Sequence, residues 1–545
     1  MSMRFAFNCF RCLPLFLPLC VLAQTVAPAP PSATYRIAGT VVNAITGAPV
    51  RRAAVAVLSD EDNKTIAAVS TDNEGRFVLD RLPAAKYPLT ASKRGYRTAF
   101  FDEHDGYNSA IVTGADQDTE HIVFRLTPGA VLHGTVTADG GDPVESAQVM
   151  LFLKPRVPRL GERIAQIDST QTDDTGAYEF SDLAAGEYLL AVKAEPWYAL
   201  HGSSAQKPVG DPGAALDVAY PVAYFDSTID ETAATPIALS GGSREQANIV
   251  LHAVPALHIA VQSSHTAQEN SALLLRQSIF GTQVSADTNI VMDPAGNQAA
   301  EFSGVAPGRY ELMGGQPTHT VDFDASASQQ IDPDSGTLTV NIAGVLRNSS
   351  SAALPERILL TLQSADSSHP HESIRTVSNK GQFKFETVAQ GAWELSAETD
   401  GPTAAELPIL SVASNGKAHE GNQIDVQDRP LSLVATVAQA ETRVHGFALK
   451  EKKGFAGAMV VLVPKNPGAN RGLFRRDQAD SDGSFNLLNV APGAYTVVAI
   501  EDGWDLDWAR PDVIGRYLPQ GIAVTVTETS GKRLLLSSSV PVQAR

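Results

Sequence analysis

Apolar and polar residues alternate along most of this chain with a period of two, which is the spacing of β-strands rather than of helices. In the stretch YRIAGTVV, which begins at Tyr35, every second residue from Ile37 shares one face. Related openings are VLHGTVTA from Val131, ALHIAVQS from Ala256, NIAGVLRN from Asn341 and VHGFALKE from Val444. In the third opening we expect Ala260 to hold the place that glycine holds in the others.

A second pattern follows each opening: an acidic turn, a short apolar strand, a corner and another strand. The last copy is SDGSFNLLNVAPGAYTV, from Ser481 to Val497. The apolar residues just before the corners are Leu82, Leu183, Val305, Val388 and Val490. Neighbouring members of this set lie 83 to 122 residues apart. Such spacings fit whole domains and exceed the 20 to 50 residues of a solenoid repeat.

The repeated turn and corner have a physical explanation. The turn glycine permits a positive φ, and the proline–glycine corner ends one strand and redirects the chain. Aromatic and aliphatic residues two apart then face one core: Phe77 and Leu79, Tyr178 and Phe180, Phe383 and Phe385, Phe485 and Leu487. Tyr495 enters the next strand, and Trp393 takes this place in the fourth repeat. Burial of each such side chain contributes about 1.5–3 kcal/mol, so the motif is mainly a folding device.

These patterns predict an all-β chain of tandem Ig-like or prealbumin-like β-sandwich domains with almost no helix. The predicted organisation is a signal peptide at 1–23, a Pro/Ala-rich linker at 24–34, and sandwiches at 35–127, 128–254 with a long loop insertion, 255–338 in degenerate form, 339–439 and 440–545.

The first 23 residues have the pattern of an export signal. Arg4 and Arg11 supply positive charge, residues 13–22 form an apolar core too short to span a membrane, and cleavage is predicted after Ala23. All three cysteines lie here: Cys9, Cys12 and Cys20. The mature chain is therefore predicted to be exported without disulfides or a transmembrane segment. Its location would be the periplasm, the cell surface or the medium.

Composition narrows the classes of partner. Of the 545 residues, 43% are hydrophobic, which is enough for packed cores. The formal net charge of −18 argues against nucleic acid and against anionic membranes as partners.

The chain resembles the carboxypeptidase regulatory-like domain family in the order of its motifs. These are a strand with glycine, an apolar run, T-D-x-x-G-x-F and L-x-P-G-x-Y. The match is good in repeats one, two and five, partial in four and poor in three. This resemblance implies transthyretin-like, or prealbumin-like, β-sandwiches, and it specifies a fold better than a function. A zinc peptidase would need a separate catalytic domain, for which the repeats leave no room. The densest histidine cluster, residues 369–372, is explained as a polar loop.

No enzyme motif stands out, and we predict a chain without catalytic residues or cofactors. The sequence contains neither a G-x-S-x-G elbow nor a phosphate-binding G-x-x-x-x-G-K-[ST] loop. Carboxylate pairs such as Asp173 and Asp174 lie on repeated hairpin turns. In DQADSDG, the side chains of Asp477, Asp480 and Asp482 form a weak calcium candidate that lacks the closing glutamate of an EF-hand.

Aromatic residues outside the hairpins are the candidates for ligand binding. They are Trp197, Tyr198, Tyr220, Tyr224, Trp504 and Trp508. Exposed rings of this kind can stack on sugars. The competing interpretation is that they cover the open end of a sandwich or pack between domains.

Three functional hypotheses follow. The first is a non-catalytic structural or interaction module at the cell envelope, with envelope proteins as partners. The second is a carbohydrate-binding protein that uses loop aromatics on a polysaccharide. The third and weakest is a hydrolase with an unrecognised site.

Overall fold

The structure is a computed structural model in which strands dominate. It describes residues 34–60, 62–115, 117–155, 164–202, 215–261, 273–286, 289–292, 300–314, 318–365, 373–400, 406–438, 440–469, 471–527 and 532–545. The predicted export signal with its cysteines and the cluster at 369–372 lie outside these residues. The prediction of an all-β fold is confirmed.

Sandwich 1 contains strands β1 to β9. They are β1 Tyr35–Asn43, β2 Ala54–Leu58, β3 Thr65–Ser70, β4 Arg76–Leu82, β5 Lys86–Tyr87, β6 Leu89–Lys93, β7 Tyr96–Phe100, β8 Ile111–Val112 and β9 Ile122–Leu126. One sheet has the order β4-β1-β9 and the other β3-β2-β6-β7, while β5 pairs with β8.

Sandwich 2 contains strands β10 to β19. They are β10 Ala130–Ala138, β11 Gln148–Lys154, β12 Ala165–Gln171, β13 Ala177–Leu183, β14 Gly186–Lys193, β15 Val218–Ala219, β16 Ala223–Tyr224, β17 Ile237–Leu239, β18 Arg244–Gln246 and β19 Ile249–Leu251, followed by β20 Val254–Pro255. The sheets run β13-β10-β18, with β19 also on β10, and β12-β11-β14-β16, with β17 also on β14. Strand β15 pairs with β20 at the passage into the next sandwich.

Sandwich 3 contains strands β21 to β29. They are β21 Leu257–Val261, β22 Leu274–Ile279, β23 Thr282–Ser285, β24 Asn289–Met292, β25 Ala300–Val305, β26 Gly308–Gly314, β27 His319–Ala325, β28 Gln329–Ile331 and β29 Thr337–Leu338. The two sheets run β24-β25-β21-β28 and β23-β22-β26-β27-β29.

Sandwich 4 contains strands β30 to β38. They are β30 Val340–Asn348, β31 Arg357–Ser364, β32 Ser373–Asn379, β33 Gln382–Val388, β34 Gly391–Thr399, β35 Ile409–Ser414, β36 Lys417–Glu420, β37 Gln423–Val426 and β38 Leu431–Val437. Its strands follow one continuous path, β36-β35-β38-β30-β33-β32-β31-β34-β37.

Sandwich 5 contains strands β39 to β47. They are β39 Thr442–Lys450, β40 Lys453–Gly454, β41 Met459–Pro464, β42 Arg475–Gln478, β43 Ser484–Val490, β44 Gly493–Ile500, β45 Ile522–Val526, β46 Arg533–Leu535 and β47 Val540–Gln543. The path is β40-β39-β47-β44-β41-β42, with β43 and β46 on β39 and β45 on β44. A single-turn α1, Pro511–Ile514, follows β44. Short 3-10 turns in the described residues include Asp139–Gly141, Glu231–Ala233, Pro333–Ser335, Arg471–Leu473, Gly503–Asp505 and Leu518–Gln520.

All five sandwiches share one arrangement around the opening strand. The opening strand pairs antiparallel with the strand before the corner and parallel with a closing strand. Each sandwich also has its own hydrophobic cluster. The predicted aromatic–aliphatic pairs are buried in these clusters, and Trp393 is 2% exposed. The repeats therefore fill separate small cores.

The glycine of the opening strand is required because backbone or ring atoms of neighbouring strands lie too close to it for a side chain. A Cβ atom on Gly134 would lie 1.9 Å from the carbonyl oxygen of Ala247. The aromatic residue opposite the glycine is Phe77 for Gly39, Tyr178 for Gly134, Phe383 for Gly344 and Phe485 for Gly446. A larger residue at this place would have to displace backbone or ring atoms.

Sandwich 3 has no glycine at this place in its opening strand. The prediction that Ala260 takes the glycine place is wrong by one residue. Because Ile259 pairs with Phe302, the register puts Val261 in the glycine place. Val261 lies opposite Ala300, where the other sandwiches have a ring. The smaller partner leaves room for the valine side chain, which is buried. Paired strands, rather than sequence spacing, reveal this exchange.

Each corner is closed by a hydrogen bond from the aromatic ring. The ring group donates to the carbonyl oxygen four residues earlier: Tyr87 to Pro83 (3.0 Å), Tyr188 to Ala184 (2.9 Å), Tyr310 to Ala306 (2.9 Å), Trp393 to Ala389 (3.0 Å) and Tyr495 to Ala491 (2.9 Å). Just before it, a residue with positive φ coincides with a shift in strand register: Arg81, Asp182, Gly304, Thr387 and Asn489. This is a β-bulge that turns the strand into the corner.

Removing one corner hydrogen bond should have a small, local effect. We expect Tyr188→Phe to lower the free energy of unfolding of sandwich 2 by about 0.5–1.5 kcal/mol, because the ring stays packed while the Ala184 carbonyl loses its donor. Urea denaturation followed by hydrogen exchange of peptides from sandwich 2 measures this. Tyr198→Phe, at a half-buried ring outside the corner, is the matched control. Equal effects of the two changes would contradict the role of the corner hydrogen bond.

Candidate functional site

The aspartate that begins each acidic turn is used in two different ways. In sandwiches 1 and 2 it is exposed and caps its own turn. The Asp72 carboxylate accepts hydrogen bonds from the backbone N–H groups of Glu74 (3.0 Å) and Arg76 (2.8 Å). These hydrogen bonds lower the pKa of Asp72, and the bond from the Arg76 backbone makes the largest contribution. Hydrogen bonds likewise lower the pKa of Asp173, and the bond from the Thr175 side chain makes the largest contribution.

In sandwich 5 the corresponding aspartate, Asp480, turns outward to sandwich 1. One carboxylate oxygen accepts from the backbone N–H of Ala110 at 2.9 Å, and the other from the Lys86 ammonium at 2.5 Å. Asp480 is only 8% exposed. Burial raises the pKa of Asp480, and Lys86 opposes this rise. A turn that is solvated elsewhere in the chain is therefore a docking element here.

Backbone groups and small polar side chains complete this contact. Ser481 donates its N–H to the carbonyl of Ala110 at 3.0 Å, and its hydroxyl accepts from the N–H of Val112 at 2.8 Å. The Ser109 hydroxyl accepts from the Gln478 amide at 2.9 Å and donates to a carbonyl of sandwich 5. Ser109 and Gln478 are each 1% exposed. The contact is thus tightly closed and polar.

Two of the predicted ligand-binding tryptophans lie in the same contact. The Trp504 ring stacks on His104 at 5.5 Å between centroids, and its N–H donates to the Gly457 carbonyl at 3.1 Å. Trp508 packs under the Arg476 guanidinium, 4.3 Å from its ring centre. We call the whole contact the clasp: Lys86 and residues 102–113 of sandwich 1 against residues 476–484, Trp504 and Trp508 of sandwich 5.

The calcium candidate is part of the clasp and its carboxylates already accept hydrogen bonds. Asp477 accepts from the backbone N–H of Asn486 at 2.5 Å and of Gln478 at 2.9 Å. Asp482 accepts from the backbone N–H of Ser484 at 2.9 Å. Throughout the described parts of the chain, no group of three or more His, Cys, Asp or Glu side chains is arranged to hold a metal ion. N–H donors therefore engage both carboxylate oxygens of Asp477 and one carboxylate oxygen of Asp482.

The joint between sandwiches 2 and 3 uses one more of the predicted residues, Tyr224. Phe280, at the tip of the β22–β23 hairpin, packs edge-on against Phe152 and Tyr224, each at 5.0 Å between ring centres. The Glu231 carboxylate accepts from the Phe280 N–H at 2.8 Å and from the Tyr224 hydroxyl at 3.2 Å. Burial raises the pKa of Tyr224. Tyr220 is buried in the core of sandwich 2.

A line of alternating histidines and carboxylates lies beside this joint. His201 contacts Asp217 at 3.0 Å, Asp217 contacts His258 at 2.7 Å, and His258 contacts Glu301 at 2.7 Å. Sequence reasoning missed this line, since its members come from different strands and loops. The ring nitrogens point at single carboxylate oxygens, so the geometry is that of hydrogen bonds between two sandwiches.

Only part of the aromatic set keeps the exposure that sugar stacking requires. Trp197 is 93% exposed and meets Tyr198 edge-on at 5.7 Å between ring centres. Tyr220, Tyr224 and Trp504 are at most 7% exposed. Buried rings offer no open face, and the Trp508 ring is covered by Arg476. The carbohydrate prediction therefore depends on Trp197 and Tyr198.

The family match covers the first sandwich and most of the second. Residues 36–127 and 131–219 match the carboxypeptidase regulatory-like domain, which confirms the resemblance for repeats one and two. Together these stretches are about a third of the chain. No helix in the described ranges is long and apolar enough to cross a membrane.

Relatives with known names are distant. Serine-aspartate repeat-containing protein D of Staphylococcus aureus is 27% identical over 143 residues, which are 24% of this chain and 10% of that protein. The chain thus spans about a tenth of the length of such curated relatives. Among solved structures, the minor pilin GBS52 of Streptococcus agalactiae is 15% identical, with 41% of this chain and 97% of the pilin covered and a TM-score of 0.20. Two B repeat units of the collagen binding protein of Staphylococcus aureus are 10% identical, with 74% and 100% covered and a TM-score of 0.13.

Proposed function

We propose, from the premise that residues 36–127 and 131–219 are carboxypeptidase regulatory-like domains, that this chain is a non-catalytic structural or interaction module of the cell envelope. Its sandwiches would hold partner proteins in a fixed arrangement outside the cytoplasm. The export pattern of the first 23 residues supports this location.

The observation that carries the proposal is that Asp480 connects sandwich 5 to sandwich 1. A catalytic carboxylate must reach a substrate, whereas Asp480 is 8% exposed and bonded to Lys86 and Ala110 of another sandwich. The aromatic residues Trp504 and Tyr224 are likewise engaged in joints. The side chains best suited to chemistry therefore serve to connect sandwiches.

Capture of neighbours from native envelopes tests the proposal. The full chain, cross-linked in intact cells and purified, should recover a reproducible set of envelope proteins. Asp480→Ala should change that set, because it disrupts the clasp, while Asp173→Ala in the solvated turn of sandwich 2 should leave it unchanged. Turnover of an ester, peptide or glycoside by the purified chain, abolished by a single substitution, would contradict a non-catalytic role.

Carbohydrate binding is the second candidate, and the exposure of Trp197 favours it. We expect Trp197→Ala to weaken retention on a bound polysaccharide about tenfold, which corresponds to about 1.4 kcal/mol. The melting temperature should stay within about 1 °C, since the ring is 93% exposed. Affinity electrophoresis across a polysaccharide panel measures retention, and Leu200→Ala, an exposed change in the same loop, is the control. Retention that neither variant alters on any polysaccharide rules this candidate out.

A further inference from the structure

We propose that residues 195–201 of sandwich 2 are docked on sandwich 3 through a bound proton and are released as the pH rises. These residues, which we call the docked segment, include Trp197 and Tyr198, the rings on which the carbohydrate prediction depends. Two features of the structure point to this device. One is a seat for the His201 ring on sandwich 3, and the other is the number of hydrogens that the line of histidines and carboxylates needs.

Sandwich 3 offers the seat at its β-bulge. The bulge residue with positive φ is Gly304, and a Cβ atom there would lie 2.7 Å from Cδ2 of the His201 ring. A side chain at this place would therefore displace the ring, which is only 4% exposed. The corresponding bulge residues of the other sandwiches are Arg81, Asp182, Thr387 and Asn489. The missing side chain makes room for a residue of sandwich 2.

The rest of the line is buried between the two sandwiches. Asp217 directly precedes β15 of sandwich 2, whereas His258 lies on β21 and Glu301 on β25 of sandwich 3. Asp217 and Glu301 are each 8% exposed, and the His258 side chain is 11% exposed. Polar groups buried in this way have to satisfy one another by hydrogen bonds.

The line needs one more hydrogen than two neutral imidazole rings supply. Three nitrogen–oxygen pairs lie at hydrogen-bond distance: His201 Nδ1 and Asp217 at 3.0 Å, His258 Nε2 and Asp217 at 2.7 Å, and His258 Nδ1 and Glu301 at 2.7 Å. A neutral imidazole has one N–H, and an ionised carboxylate has no donor. Two neutral rings would therefore leave one pair without a hydrogen. Because both ring nitrogens of His258 face carboxylates, the additional proton makes His258 an imidazolium between two negative charges.

The elements around the line bring little other charge to it. Glu195, at the start of the docked segment, lies 3.2 Å from His201 Nε2, but its side chain is 57% exposed. The neighbouring strands β15, β20, β24 and β28 contain no charged residue. His252 pairs with Asp139 at an exposed place on sandwich 2. In these described elements, the two imidazoles of the line are thus the groups that can place a positive charge between its carboxylates.

The sign of the pH dependence follows from the form that holds the proton. In water an imidazolium loses its proton with an ordinary pKa of about 6.5. Below about pH 6.5 the docked and the released forms both carry the proton, so its contribution to docking is complete. Above this pH, release of the segment also releases a proton. Docking therefore weakens as the pH rises, by up to about tenfold per pH unit for one proton.

Two backbone hydrogen bonds report on docking. The Leu200 N–H donates to the Leu216 carbonyl at 2.8 Å, and the Ala256 N–H donates to the Asp217 carbonyl at 2.9 Å. The second bond joins the chain that enters sandwich 3 to the central carboxylate residue of the line. The contacts of Phe280 at the joint do not involve the line, so we expect the sandwiches to stay joined when the segment is released.

Hydrogen exchange at these two amides of the full chain between pH 6 and pH 9, corrected for the intrinsic exchange rate at each pH, tests the proposal. In the unmodified chain, protection should fall above about pH 6.5 by up to about tenfold per pH unit. Glu301→Gln should remove this dependence, because the new amide donates to His258 Nδ1 while the neutral ring donates from Nε2 to Asp217. Asp139→Asn changes the exposed pair with His252 and, as the matched control, should behave as the unmodified chain.

Constant protection of the unmodified chain across this range, or an equal pH dependence in Glu301→Gln, overturns the proposal. If Glu301→Gln fails to fold by circular dichroism, nitrogen-15 NMR of the histidine-labelled unmodified chain replaces it, with His258→Gln to assign the signal. At pH 7.5, where a solvated imidazole is mostly neutral, His258 should show two ring N–H groups, and a single one overturns the bound proton. These outcomes concern the docked segment alone and leave the non-catalytic role, which is tested by capture of envelope proteins, as it stands.

Discussion

Replacing Trp393 by alanine should lower the free energy of unfolding of sandwich 4 by about 3–5 kcal/mol. The ring is 2% exposed and lies in a cluster with Phe383, Phe385 and Leu395. The ring N–H also donates to the Ala389 carbonyl. Replacing the ring by a methyl group therefore leaves a cavity in the core and removes the hydrogen bond that closes the corner. Hydrogen exchange of peptides from strands β30 to β38, followed through a urea series, measures the loss.

Trp197→Ala provides the control for this substitution. It removes the same side chain where it is 93% exposed, so the expected change is within about 0.5 kcal/mol. Comparable losses from both changes, or a loss at Trp393 below about 1 kcal/mol, would contradict the account of Trp393 as a core residue that also closes its corner.

Replacing Asp480 by alanine should open the clasp at pH 6. The change leaves the Lys86 ammonium and the Ala110 N–H without the acceptor that both share. Breaking such a pair costs about 3 kcal/mol, near the lower end for buried pairs, because Lys86 is 28% exposed. The radius of gyration should rise, and Trp504 fluorescence should shift to the red as the ring separates from His104.

Asp173→Ala is the matched control, because Asp173 holds the same place in an exposed turn. It loses only local capping bonds, to Thr175 and Ala177, so the expected effect is about 1 kcal/mol or less and confined to sandwich 2. If Asp480→Ala leaves the radius of gyration unchanged, or if both variants change it equally, the special role of the fifth turn is wrong.

Much of the fold could be predicted because its determinants are local. The period-two pattern, the turn glycine and the corner lie within short stretches, so the buried pairs such as Phe485 and Leu487 follow from sequence alone. The register of paired strands is not local. That is why Val261 rather than Ala260 holds the glycine place in sandwich 3, opposite the small residue Ala300.

The candidate site was only half predictable for the same reason. Asp480 and Trp504 stand out in the sequence, but their partners Ala110 and His104 lie 370 and 400 residues earlier in the chain, in sandwich 1. Trp508 packs under Arg476 of its own sandwich. One signal is visible in hindsight. Thr71 and Thr172 precede the turn aspartate in sandwiches 1 and 2 and bond within their own sandwich, whereas sandwich 5 has Ala479, whose carbonyl accepts from sandwich 1.

The two joints between sandwiches differ in character, and this difference indicates where the chain opens. Phe280 inserts between Phe152 and Tyr224, so separating sandwiches 2 and 3 exposes apolar rings to water. The clasp also covers the Trp504 ring, but most of its contacts are hydrogen bonds and ion pairs, whose groups are solvated again when the two faces separate. We therefore expect opening at the clasp before the joint of sandwiches 2 and 3.

Hydrogen exchange at the amides of Ala110 and Val112 tests the central claim most directly. Their acceptors, the Asp480 carboxylate and the Ser481 hydroxyl, both belong to sandwich 5. The intervening Ile111 lies on β8, which pairs with β5 inside sandwich 1. At pH 6 we expect both amides to be protected in the full chain and to exchange freely in Asp480→Ala, while strands of sandwich 1 stay protected in both. Free exchange of these two amides in the unmodified chain, with sandwich 1 folded, would contradict the account.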